Sequence, residues 1–313
     1  MLLKEMPRLM NRVRRMALKA LTYPIDLKKH YKLQRKLFIA AHPYIRPLYN
    51  LLDKKIMFKD WEIPVRIFKP NRRKAFKVLL FFHGGGWVTG NIDSYSYICA
   101  NMANVTGYVV VSVDYRLAPE FPFPIGTEDC YYAAKAIFTD HSIFQRVPEE
   151  IVLIGDSAGG NLAAVVSLMA RDRGEFLPSK QILIYPSTYH DHSDNSPFPS
   201  IRENGTGYLL TAKRIQDYMD LYVTKEEDRY NPYVAPLIAA DLSNQPQTLI
   251  ITAEYDPLRD EGEAYGMRLK EYGNTITIER ISDSLHGFLS LPRQSVYVMK
   301  CYEIINRFLN EEI

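Results

Sequence analysis

Ser157 stands at the centre of Gly155-Asp156-Ser157-Ala158-Gly159, directly after the apolar run Ile151-Val152-Leu153-Ile154 and directly before the small-residue stretch Gly160-Asn161-Leu162-Ala163-Ala164. A strand that breaks into a helix through Gly-x-Ser-x-Gly is the setting of a nucleophile elbow, where a sharp turn presents the serine hydroxyl at the top of a sheet. Glycines flank the serine because neighbouring backbone comes close and the serine is forced into a strained conformation. Ser157 is therefore the candidate nucleophile. The pentapeptide by itself also fits an ordinary strand-to-helix turn, so the reading depends on partners elsewhere in the chain.

Acyl transfer from an ester passes through a tetrahedral oxyanion, which needs preorganised donors. His83-Gly84-Gly85-Gly86-Trp87 follows the apolar run of residues 77–82 and offers bare backbone N–H groups that can approach a reacting oxygen closely. Gly85 and Gly86 are the expected oxyanion donors, joined by the N–H of Ala158, the residue after the nucleophile. His83 and Gly84 are expected to support this loop, His83 through hydrogen bonds rather than as a base. A phosphate cradle is the competing reading, but the Lys-Ser/Thr of a P-loop and a Gly-x-Gly-x-x-Gly turn are both missing here.

A serine nucleophile needs a base, and an acid to orient it, in the chain order Ser, Asp or Glu, His. Of seven histidines, His30 and His42 lie in a basic N-terminal segment, His141 near a helix end, and His190 and His192 in a loop rich in Asp and Ser. All five read as surface residues. His286 differs: it precedes Gly287-Phe288 just after the strand-like residues 275–281, which places it at a strand's carboxyl end. Asp256 follows the apolar strand of residues 249–253 and is the expected orienting acid, with Glu254 and Asp283 as fallbacks. A buried carboxylate there would hold the histidine tautomer that accepts the serine proton.

These residues need a scaffold, and composition allows a large one. The chain has 313 residues, 47% hydrophobic and 24% charged, ordinary for a globular protein with one α/β domain and an inserted cap. No stretch approaches eighteen uninterrupted apolar residues, so no transmembrane segment is expected. Cys99, Cys130 and Cys301 are scattered singly, which suggests buried free thiols in a reducing compartment and a cytoplasmic location. The net charge of +3 is uneven: residues 1–60 hold fifteen Lys and Arg against four acids, leaving the remainder net acidic.

In residues 1–54, apolar residues such as Leu2, Met6, Leu9, Val13, Met16 and Leu21 recur at near-helical spacing and imply an amphipathic helix, interrupted around Tyr23-Pro24. Arg8, Arg12, Arg14, Arg15 and Lys19 break the apolar block that a secretory signal would need. The segment is read as a cap over the site. Peripheral contact with an anionic membrane surface through the same helix stays open. Nucleic-acid binding has no support, because no recognisable nucleic-acid module accompanies the bases. From residue 55 the pattern turns to strands. Residues 55–58 and 63–68, linked by 59–62, read as an antiparallel pair at a sheet edge, where Pro64 is tolerated. Buried strands at 77–82, 108–113, 151–154, 181–185 and 248–252 alternate with helical stretches, the pattern of a mainly parallel sheet with ligands at its carboxyl end.

Taken together, His83-Gly84-Gly85-Gly86-Trp87, Asp114-Tyr115-Arg116-Leu117-Ala118-Pro119-Glu120, Gly155-Asp156-Ser157-Ala158-Gly159-Gly160-Asn161, Asp256-Pro257-Leu258-Arg259-Asp260-Glu261-Gly262 and His286-Gly287-Phe288 resemble the hormone-sensitive-lipase family of α/β-hydrolase esterases, in the family's order from about residue 55 to the end. The resemblance implies an α/β-hydrolase fold with an eight-stranded, mainly parallel sheet flanked by helices. It also implies a Ser157, Asp256, His286 triad, no cofactor or metal, and a helical cap made of residues 1–54 and an insertion at 187–229 around a catalytic core of 55–186 and 230–313. By the same analogy Arg116 and Glu120 brace loops. The expected activity is a serine carboxylesterase working on short-chain, acetyl-like esters through an acyl-enzyme. An amide or formamide hydrolase uses the same constellation. A non-catalytic ligand receptor on this scaffold would have lost the catalytic histidine, which His286 argues against.

Overall fold

Alternating side chains along Lys77–Phe82 (β3) divide between two cores: Val78, Leu80 and Phe82 pack on one face of a sheet, Leu79 and Phe81 on the other. A strand buried on both faces reads as a continuous apolar run, as this one does. The structure is a computed structural model that describes residues 26–42, 50–71 and 76–313. The amphipathic helix expected before Tyr23-Pro24 lies outside them.

Around β3 the sheet contains Leu51–Phe58 (β1), Trp61–Phe68 (β2), Val109–Val113 (β4), Glu150–Asp156 (β5), Lys180–Ile184 (β6), Gln247–Tyr255 (β7) and Ile276–Leu285 (β8). Its order is β1-β2-β4-β3-β5-β6-β7-β8, antiparallel at β1–β2 and β2–β4 and parallel elsewhere. Boundaries at both ends of the sheet differ from the sequence expectation. The first strand begins at Leu51, inside the stretch assigned to the cap, and the link between the first two strands is only Lys59-Asp60, with Lys59 at φ 53°. Pro64 lies on β2, one strand in from the edge, just before the first β2–β4 pair Val65–Val113; its carbonyl accepts from the Asp114 N–H at 2.9 Å. The last strand runs past Ile281 to Leu285, which delivers His286 directly from its end.

Ile125–Thr139 and Ala158–Arg173 pack on one face and Ser96–Thr106 and Val296–Leu309 on the other, sandwiching the sheet between two hydrophobic cores. The helix beginning at Ala158 is buried on all sides from Ala158 to Ala170. Glycine and alanine at 159, 160, 163 and 164 let it lie close against the sheet, and Gly174 closes it in the left-handed conformation. The three cysteines are buried and free. No described helix is long and apolar enough to cross a membrane.

Over the carboxyl ends of the strands lie Leu27–Ala41 (α1), Pro199–Asn204 (α5, counting the four helices above as α2, α3, α4 and, at the chain's end, α8) and Ala212–Tyr222 (α6). Arg259–Glu271 is α7. Arg35 fastens α1 to the core: its guanidinium donates to the Val88 and Ala118 carbonyls at 2.6 and 2.7 Å and grips both Glu120 oxygens at 2.9 and 2.8 Å. Lys28 pairs with Asp220 on α6, joining the two helices. Arg116 grips Asp129 in the same two-toothed way, at 2.8 and 2.6 Å, and lies over the Trp61 ring.

Candidate active site

Ser157 directly follows β5 and caps α4 with φ 55° and ψ −121°, a conformation that costs on the order of 1–3 kcal/mol for a residue with a side chain. The surrounding glycines make it attainable. A Cβ on Gly155 would sit 2.1 Å from the Gly159 carbonyl oxygen, and one on Gly159 2.0 Å from that of Phe82, so neither position admits any other residue without moving the backbone. The Ser157 N–H is tied to the Ile184 carbonyl at 2.8 Å, which fixes the turn against the neighbouring strand.

His286 enters from the end of β8, its Nε2 2.9 Å from Ser157 Oγ and its Nδ1 2.7 Å from Asp256 Oδ2. A carboxylate can only accept, so Nδ1 carries the proton and Nε2 keeps the lone pair that accepts the serine hydroxyl. Asp256 is fully buried, and its other oxygen, Oδ1, accepts the Leu258 N–H at 2.9 Å. Of the two fallback acids, Glu254 spends its carboxylate on the Asp283 N–H at 2.7 Å, and Asp283 itself sits at positive φ in β8. The structure thus brings Ser157, His286 and Asp256 into one hydrogen-bonded chain.

Gly85 and Gly86 have φ of 119° and 62°, a backbone course that Trp87 continues at 58°. The Gly85 carbonyl is turned into the loop, where it accepts from the N–H and the hydroxyl of Thr89, both at 2.9 Å. The Gly85 and Gly86 N–H groups donate to nothing among the described residues, and the Ala158 N–H opens α4, where a helix has no partner for it. All three residues line one cavity together with Ser157 and His286. His83 is fully buried below; its Nδ1–H donates to the Gly84 carbonyl at 2.8 Å, and its own carbonyl accepts from Tyr115 at 2.7 Å.

Burial lowers the His83 pKa to about 4, so this ring stays neutral. The unfolded chain would titrate it near 6.5. Stability from a depressed base is fully present above 6.5 and is lost as pH falls through the folded value, by an amount on the order of 3 kcal/mol for a shift of this size. Denaturant unfolding followed from pH 7 to pH 4 is expected to show this loss in wild type and a flatter profile in His83→Gln; parallel profiles would contradict it.

Asp156 was not singled out in the sequence, yet its buried carboxylate holds the glycine loop to the nucleophile turn. Oδ1 accepts the Gly84 N–H at 2.8 Å and Oδ2 the Tyr95 hydroxyl at 3.1 Å. Burial raises its pKa to about 6, against the lowering effect of those two donors. A lone acid closing an apolar strand is a signal that could have flagged it. Two histidines also depart from expectation. His42, read as a surface residue, is half-buried beside Phe38 and lines the cavity. His192, read the same way, is buried with Nε2 2.9 Å from Glu261 Oε2, while Glu261 accepts the Thr188 and Tyr189 N–H groups at 2.6 and 3.1 Å. Through those two N–H groups Glu261 fastens the start of the insertion to the first turn of α7.

Residues 79–290 match a family described as having the alpha/beta hydrolase fold. The chain is 40% identical over 250 residues to an arylesterase of Saccharolobus solfataricus, covering 80% of each protein. It is 34% identical over 233 residues to an ethyl acetate hydrolase of Pseudomonas putida, covering 73% of this chain and 72% of that one. Its fold superposes on a hyperthermophilic esterase from Pyrobaculum calidifontis with a TM-score of 0.79 at 35% identity, covering 97% of this chain and 93% of that structure.

Proposed function

Since the chain belongs to the hormone-sensitive-lipase-like carboxylesterases of the α/β-hydrolase fold, we propose that it hydrolyses short-chain acyl esters through an acyl-enzyme on Ser157. The observation that carries this reading is the chain of contacts at 2.9 and 2.7 Å linking Ser157, His286 and Asp256. His286 takes the serine proton as Oγ attacks the ester carbonyl, and the Gly85, Gly86 and Ala158 N–H groups receive the oxyanion. The imidazolium then protonates the departing alcohol. Water, activated by the same histidine, releases the acid.

The cap proposed from the N-terminal segment and the insertion sets the acyl range. Phe38 of α1, Ile215 of α6 and Leu209 and Leu210 between α5 and α6 wall the cavity with apolar surface. That the relative from Pseudomonas putida is an ethyl acetate hydrolase supports small esters as substrates. Each methylene buried there contributes about 0.8 kcal/mol, or about fourfold in kcat/KM, until the pocket is full. With a series of p-nitrophenyl esters below their solubility limits, kcat/KM is expected to peak at short acyl chains and decline for long ones. A steady rise through long chains would remove the short-chain reading, and faster turnover of a matched anilide than of the ester would favour an amidase.

A further inference from the structure

The oxyanion loop touches the cap at three successive residues. On α6, Tyr218 and Tyr222 are one helical turn apart and so share a face. The Tyr222 ring stacks on the Trp87 indole with centroids 4.5 Å apart and planes 1° from parallel, and its hydroxyl meets Thr127 at 2.6 Å in the core. Tyr218 lies on Gly86 itself: a Cβ there would fall 2.4 Å from the ring's Cγ and 2.6 Å from each Cδ. The third contact is that of Arg35 with the Val88 carbonyl, from α1. Residues 86, 87 and 88 are thus seated by side chains from both parts of the cap.

We propose that Tyr218 is a positioning residue for ester hydrolysis, its ring pressing the oxyanion loop into place so that docking of the cap and formation of the oxyanion hole are one event. Gly86 has no Cβ to restrict its backbone, and it sits at φ 62°, in the left-handed region. The ring fills the space beside the Gly86 Cα where any side chain would lie. The Thr89 and Gln34 side chains lie near the Tyr218 hydroxyl. Thr89 in turn bonds the Gly85 carbonyl. A hole that forms only beneath a seated cap would restrict hydrolysis to substrates the cap can close over.

This inference rests on the esterase reading, and wild-type turnover separates the two: a wild type inert toward every ester overturns that reading, whereas the Tyr218 variants bear only on the cap. In Tyr218→Ala, kcat on a short ester is expected to fall by roughly 10- to 100-fold with KM changed less than about threefold, because an oxyanion donor acts in the transition state. Tyr218→Phe, which keeps the ring, should stay within about twofold of wild type. Tyr218→Leu gives the same comparison if the alanine variant melts early. A rise in KM with kcat unchanged would make Tyr218 a pocket wall only, and an equal loss in Phe and Ala would assign the effect to the hydroxyl. A second measurement needs no variant: a small alkylboronic acid bound at Ser157 should slow hydrogen exchange of the α6 amides. Unchanged exchange in α6 would overturn the coupling.

Discussion

Replacing Asp256 with Asn is expected to lower kcat by about 10³- to 10⁴-fold while leaving the fold intact. The reason lies in how the carboxylate is held. Oδ1 already accepts the Leu258 N–H at 2.9 Å, so an asparagine would keep its amide oxygen on that bond and turn its NH₂ toward His286. That group would donate to Nδ1 and move the imidazole proton to Nε2, the atom that must accept from Ser157 at 2.9 Å. Ground-state packing would barely change, and steady-state kinetics with a thermal melt would record the contrast. Glu254→Gln serves as the control, since its carboxylate engages the Asp283 N–H instead of the histidine. Full activity in Asp256→Asn together with a large loss in Glu254→Gln would place the orienting acid elsewhere.

Ser157→Ala is expected to cut ester turnover by about 10³-fold or more, leaving the rate that binding and the oxyanion donors supply without a nucleophile. Alanine should adopt φ 55° at least as readily as serine, so the loss reflects the missing Oγ and not a collapsed turn. An equal loss in Ser157→Ala, His286→Ala and the double variant would show the two acting as one unit. Near-normal turnover in Ser157→Ala would end the account of the nucleophile.

The central strands were legible in the sequence because β3, β4 and β5 are covered on both faces and therefore read as unbroken apolar runs. The two ends of the sheet were less so. β1 and β8 are edge strands with much exposed surface, and residues 282–284, Ser-Asp-Ser, carry no apolar period to mark them as strand. The placement of Ser157 and Asp256 just beyond apolar runs could be read locally, whereas His286 was tied to its strand only through residues 275–281, with the polar 282–284 between. What could not be read is what depends on contacts between distant residues. His192 sits among Asp191, Ser193 and Asp194, a polar neighbourhood that conceals burial against Glu261. Tyr218 lies on a helix whose sequence says it is amphipathic but not that its ring meets Gly86. Asp156 occupies the unspecified position of Gly-x-Ser, and only the fold shows it anchoring the Gly84 N–H.

A single labelling experiment bears most directly on the claim that Ser157 is an acylated nucleophile activated by His286. Wild-type protein treated with a p-nitrophenyl alkylphosphonate should release one equivalent of nitrophenolate, lose ester turnover in step with that release, and carry the adduct on Ser157 by peptide mass spectrometry. His286→Ala should label far more slowly at the same residue. An adduct on another residue, or ester hydrolysis that persists in fully labelled protein, would contradict the account.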